Sequence, residues 1–477
     1  MARRPGAVYP GRMLFNSQVF VLCFLPPVLA GWYLLAGVRA ARQAWLVGAS
    51  LVFYGWWDVR YVPLLVGLTL ANWGIARAYG AGWGRALPAV GVTLNLLVLA
   101  LFKYADFLRG TAFGVAGVPW HPWALVLPLG ISFFVFQKIA YLVDLRRGDR
   151  HQYSLSDFAL FVGFFPQLIA GPLVRHNEII PQFALDPRRA GVWERLGRGL
   201  VLFGIGLLKK VVIADTLAPL VDRVWDHAAA SGAAVGAAQA WAATGGYTLQ
   251  LYFDFSGYSD MAIGLALMFG FTLPVNFAAP YRAISIRDFW RRWHITLSRF
   301  LRDYLYIPLG GNRCGPWRQA GNVVATMLLG GLWHGANWTF VAWGGLHGGA
   351  LAVAHLWEGW AGRRGWRLPV PVGWALTLLF VMAGWVLFRS PDFTIAAHML
   401  AALAGVQGWH GFPLDREYVV ALAGGAAVAL AAPTSQAIAL GAWRPRLLYA
   451  LPAGALLAWA LLLTGGRLPT TFIYFQF

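Results

Sequence analysis

Two histidines stand where a titratable ring is unfavourable. His334 falls inside Gln319–Trp357, a run without Asp, Glu, Lys or Arg. Gly330, Gly331 and Gly335 beside it allow close backbone approach, and Trp333, Asn337 and Trp338 can wall a pocket. His294 lies on an apolar stripe: Trp290, His294, Leu297 and Leu301 have the spacing of one face of a helix over Ile286–Leu305. A third constellation, Asp254, Ser256, Tyr258 and Asp260, interrupts an apolar stretch from His227 to Tyr281. Ionisable groups inside a membrane are functional candidates by default. A neutral imidazole in a dry site suits acyl transfer, as the general base that takes a hydroxyl proton while the oxygen attacks a thioester. Dryness also protects the acyl group from hydrolysis. There is no Gly-x-Ser-x-Gly elbow, and neither Cys23 nor Cys314 has a histidine at helical spacing. Direct transfer is therefore more natural than a covalent acyl-enzyme.

Each feature also has a plainer reading. A lone histidine on an apolar face is commonly a satisfied core residue, and His347 and His355 are read that way. The Asp254–Asp260 segment is either a kinked structural helix whose polar groups satisfy one another, or a substrate contact. No metal is expected, because no ligand set has metal-like spacing.

The elements that must carry these residues follow from composition. Of 477 residues, 59% are hydrophobic and 12% charged, and mean hydropathy is +0.58. Soluble domains are nearer 45–50% apolar and about 25% charged. An ordinary soluble enzyme, a disordered chain and a fibrous one are excluded. Charge-free runs of crossing length recur from Asn16–Val38 to Leu447–Gly466. They predict an all-α polytopic membrane protein with about eleven spans and one or two pieces that do not span. The Gln319–Trp357 run would make a helix roughly 58 Å long at 1.5 Å per residue, so it must cross twice or fold back. Phe158–Val174 is short, holds Gly163, Pro166, Gly171 and Pro172, and has arginines on both flanks. It is predicted to be re-entrant.

The net charge of +19 is read as an orientation signal and as contact with membrane lipids, not as nucleic-acid binding. With the N-terminus outside, inner loops hold Arg39, Arg42, Arg77, Arg85, Arg146, Arg147 and Arg150, and outer loops only Arg60, Lys103 and Arg109. Arg3, Arg4 and Arg12 oppose this orientation. Met13 begins a natural start before the first apolar run, so residues 1–12 are expected to be an extension and 13–477 a single membrane-embedded domain. Arg287, Arg291 and Arg292 on the predicted amphipathic helix would face lipid headgroups or the phosphates of a cytoplasmic donor.

With these residues in view, the sequence resembles the membrane-bound O-acyltransferase family. The likeness is to its bacterial alginate O-acetyltransferase branch, with the teichoic-acid D-alanyl transferases more distant. The segments that carry it are Met13–Ser17, Leu127–Asp144 (with Lys138), Phe161–Pro172 (with Gln167), Gln250–Gly264, Phe289–Arg313 (with Trp290, Trp293 and His294), Leu329–Trp338 and Phe472–Phe477. The resemblance implies His334 as the catalytic histidine and His294 as the second active-site residue. It implies a ring of membrane helices around a thinned centre in a bacterial inner membrane. It also implies acetyl-CoA or another acyl thioester as donor substrate with no permanently bound cofactor, an envelope or secreted polysaccharide as eventual acceptor, and periplasmic partner proteins that assist acetylation. Two alternatives stay open: a D-alanyl or other acyl transferase using a carrier-protein thioester, and a transporter without enzymatic activity.

Overall fold

The computed structural model describes residues 13–169, 171–230, 234–366, 368–411, 413–444, 446–466, 472 and 473. The expected N-terminal extension, residues 1–12, lies outside them. Among the described residues every regular element is helical. Four helical segments are long and apolar enough to cross a membrane: Arg39–Gly80, Leu87–Ala116, Val370–Arg389 and Leu447–Gly465. The long helix Ala237–Met268, of 32 residues, spans about 48 Å. It is buried on almost every side.

Two compact units are present. One comprises the described residues of Met1–Leu207, Tyr258–Pro274 and Ser435–Gln476; the other comprises those of Leu208–Gly257 and Val275–Thr434. In the first unit the predicted re-entrant segment is a helix of 9 residues, Leu155–Gly163, and a four-residue turn of helix, Phe165–Leu168. Neither reaches half the ~30 Å of a bilayer core. Ser154 caps the first helix by accepting from Asp157 N at 3.1 Å. The chain leaves helical geometry at Phe164, ahead of Pro166. Gln167 Nε2 then donates to Phe161 O at 2.6 Å, and Ser50 Oγ accepts from Phe165 N at 3.2 Å. Side chains thus satisfy backbone groups that the break releases. Lys138 is fully buried in this unit, with its ammonium 4.3 Å from the Phe134 ring centroid.

In the second unit the uncharged run folds back as expected. Pro316–His334 and Trp338–Arg363 form a helical hairpin. Its close approach depends on glycine: a Cβ on Gly331 would overlap the Phe340 carbonyl, and one on Gly344 the Met327 carbonyl. Asn337 shapes the tip, accepting from Thr339 N at 3.2 Å and donating to Pro391 O at 2.7 Å.

The single amphipathic helix predicted over Ile286–Leu305 is not formed. Ile286–Arg292 and Ile295–Leu301 are separate helices, followed by a π-helical turn at Arg302–Tyr306. Trp293 is extended, and His294 takes the left-handed conformation at φ +42°. The break has an identifiable cause. Asn276 O accepts from Ile295 N at 2.9 Å, and Arg292 O from Ala278 N at 3.0 Å. The irregular stretch at 276–278 takes over bonds that a continuous helix would make for itself. Trp293 meanwhile packs against Phe289, Phe277 and Trp385, at centroid distances of 5.6, 5.1 and 4.9 Å.

Candidate active site

His334 is the last residue of the hairpin's first arm, at 3% exposure, and His294 is completely buried. Their ring centroids are 6.4 Å apart. Trp333 stands beside both, at 4.9 Å from His334 and 6.0 Å from His294. Phe255 meets His294 edge-on at 4.7 Å. Trp343 and Phe388 enclose His334 at 5.2 and 5.3 Å. Two titratable rings thus share one aromatic enclosure, although they are forty positions apart in sequence.

The tautomer of His294 follows from its neighbour. Asn276 Oδ1 accepts from Thr296 N at 3.3 Å and from Thr296 Oγ1 at 2.9 Å, which identifies it as the oxygen. His294 Nδ1 lies 3.1 Å from the same atom and must donate to it. In the neutral ring the lone pair therefore belongs to Nε2. Asn276 is fully buried, and its placement locks both the ring and the left-handed turn that carries it.

The Asp254–Asp260 segment is no break in the chain: Ala237–Met268 is an uninterrupted helix. Asp254 pairs with Lys210 at 2.6 Å, and Lys210 also holds Asp215 at 2.7 Å. Lys209 Nζ donates to Ser256 Oγ at 3.5 Å. Tyr258 stacks on Phe15 at 4.7 Å, and Asp260 accepts from Gln436 Nε2 at 2.6 Å. Asp254, Ser256 and Asp260 are thus buried beside polar partners, and Tyr258 is buried against an aromatic ring.

The other expected residues divide. Trp338 opens the second arm of the hairpin and is half exposed (50%). Asn337 shapes the tip. Trp290 donates from Nε1 to His347 Nδ1 at 3.2 Å. Arg287 pairs with Glu358, and Arg292 with Asp288 at 2.9 Å, while Arg291 is exposed. Gln167 and Lys138 belong to the first unit. Among the described residues no group of three or more His, Cys, Asp or Glu could hold a metal.

Sequence reasoning did not single out Asn276, Trp343 or Lys210, and it read His347 as a core residue. A lysine pair in an apolar stretch, Leu207–Ala214, was an available signal for Lys210. Asn276 carries no local signal, because its role exists only across the 276–296 contact.

Residues 46–388 match the model of MBOAT, membrane-bound O-acyltransferase family. The chain is 40% identical over 428 residues to a peptidoglycan O-acetyltransferase of Helicobacter pylori, covering 83% of this chain and 80% of that one. It is 44% identical over 422 residues to a "probable alginate O-acetylase" of Pseudomonas putida, covering 86% and 84%. A teichoic acid D-alanyltransferase of Streptococcus thermophilus is 28% identical over 271 residues, covering 55% and 63%.

Proposed function

Because the chain belongs to the membrane-bound O-acyltransferase family, we propose that it draws an acetyl group from a cytoplasmic thioester, acetyl-CoA or a similar donor, and passes it to hydroxyls of an envelope or secreted polysaccharide. It is an O-acyltransferase of the membrane. The pairing of two buried imidazoles in one aromatic enclosure supports the assignment of roles. His334 is the general base. It takes the hydroxyl proton as the oxygen attacks the thioester carbonyl; the C–O bond forms, the C–S bond breaks, and the proton returns to the leaving sulfur. His294, with Nδ1–H committed to Asn276, offers its Nε2 lone pair to a neighbouring hydroxyl of the acceptor and so orients the one that attacks. In its neutral form it has no proton to give the thiolate, so that part falls to protonated His334. Trp333, Trp343 and Phe388 keep water from the acyl group.

Positioned general-base catalysis contributes about 10²–10⁴-fold. His334→Ala, purified and shown to be folded, is expected to lose at least that much transfer from labelled acetyl-CoA. Wild-type activity in that variant overturns the assignment. The acceptor reading draws on relatives named for alginate, peptidoglycan and teichoic acid, all envelope or secreted polymers. Periplasmic partners and an inner-membrane setting with the N-terminus outside belong to the same proposal. The likeness to teichoic acid D-alanyltransferases favours a second donor, a carrier-protein thioester. Supplying each donor separately to the purified protein distinguishes them.

A further inference from the structure

We infer that His347 is a positioning residue for His334, acting through Trp343; this rests on the reading of His334 as general base. An indole nitrogen can only donate. The 3.2 Å contact from Trp290 Nε1 to His347 Nδ1 therefore makes Nδ1 the acceptor and places the proton of the neutral ring on Nε2. His347 and Trp343 are both completely buried. They lie one helical turn apart on the second arm of the hairpin, so their side chains share a face. The Trp343 indole packs 4.7 Å from the His347 ring and 5.2 Å from the His334 ring, perpendicular to the latter. Phe388 closes the third side, 5.2 Å from Trp343 and 5.3 Å from His334.

The far side of the stack is fixed by Gly384 on Val370–Arg389. A Cβ there would come within 3.1 Å of His347 Nε2 and 3.5 Å of Trp343 Nε1. Glycine thus lets that helix press both rings towards the hairpin. The result is a series of contacts: Trp290 sets the His347 tautomer and tilt, His347 sets Trp343, and Trp343 limits the rotation of His334. A displacement near 1 Å at a reacting group can cost about 10²-fold in rate, so a ring that only braces a neighbour can still govern turnover.

The test uses the full-length protein in nanodiscs with labelled acetyl-CoA and a polysaccharide acceptor. Asn presents an acceptor near the position of Nδ1, whereas Leu fills the space without one. His347→Leu is expected to lower kcat about 10–100-fold with donor KM unchanged. His347→Asn is expected to recover most of that loss. Trp290→Phe is expected to reproduce most of the Leu defect, and the Trp290→Phe/His347→Leu double variant to be no worse than His347→Leu alone. Should His347→Leu fail to fold, the Asn and Trp290→Phe variants carry the comparison. Wild-type kcat in folded His347→Leu, alongside an inactive His334→Ala, overturns the positioning role alone. Equal losses in the Asn and Leu variants, with additive effects of Trp290→Phe, also overturn it, since packing would then explain everything. An active His334→Ala removes the general-base reading itself.

Discussion

His294 occupies a backbone conformation that costs a residue with a Cβ about 1–3 kcal/mol, and Asn276 is what holds it there. One amide oxygen receives the imidazole Nδ1–H, the Thr296 amide and the Thr296 hydroxyl. Asn276→Ala leaves buried donors unsatisfied, at about 1–3 kcal/mol in total stability. It also releases the ring to its other tautomer. Transfer activity is expected to fall at least tenfold, and a lower thermal midpoint accompanies it. Activity and melting measured on the same preparation check this; unchanged kcat would mean the tautomer is not used. Lys210 is a second residue whose importance is electrostatic. Its ammonium pairs with both Asp254 and Asp215. Lys210→Met removes the cation that pairs with the buried Asp254, and losing one partner of a buried pair costs about 3–5 kcal/mol. Adding Asp254→Asn should restore part of the lost melting temperature. No restoration would argue that the pairs contribute little.

The hairpin is the element that brings the chemistry together. Its register is set by glycine, not by large apolar residues, because the two arms approach until carbonyls meet Cα atoms. Gly344→Ala forces a methyl group into the Met327 carbonyl and is expected to destabilise by about 1–3 kcal/mol and to reduce transfer by moving His334. Gly349→Ala meets nothing within 4 Å and serves as the matched control on the same helix. Equal behaviour of the two variants in thermal unfolding and turnover would refute the close-approach argument. The short helices around His294 teach the opposite lesson about periodicity. Trp290, His294, Leu297 and Leu301 fit one stripe by spacing, yet their burial comes from two helices and a left-handed corner. Apolar spacing predicted which side chains are inside but not the backbone that puts them there, since the competing bonds come from residues 276–278.

For the whole molecule, orientation is the property that the charges carry. Arginines accumulate in alternate predicted loops, and under the proposed orientation the positive-inside rule puts those loops on the cytoplasmic side. In a variant lacking Cys23 and Cys314, a single cysteine at Arg85 or Arg150 is expected to react with an impermeant thiol reagent only after the membrane is opened. One at Arg60 is expected to react in intact cells. The reverse pattern would invert the topology and place donor and acceptor on the wrong faces.

Composition and spacing alone determined that this chain is helical and suited to a membrane and that Gln319–Trp357 must cross twice or fold back, and they marked His334 and His294 as ionisable rings in apolar surroundings. Those conclusions rest on local quantities: transfer cost, helix rise against bilayer thickness, and the rarity of an ionisable ring in an apolar run. The tertiary structure decided what depends on partners far along the chain. It set the tautomer of His294 through Asn276, paired Asp254 with Lys210 and Asp260 with Gln436, and stacked Trp343 and His347 behind His334. Hydrogen bonds and ring contacts have ranges of a few ångströms, and no sequence interval encodes which distant residue will arrive within that range.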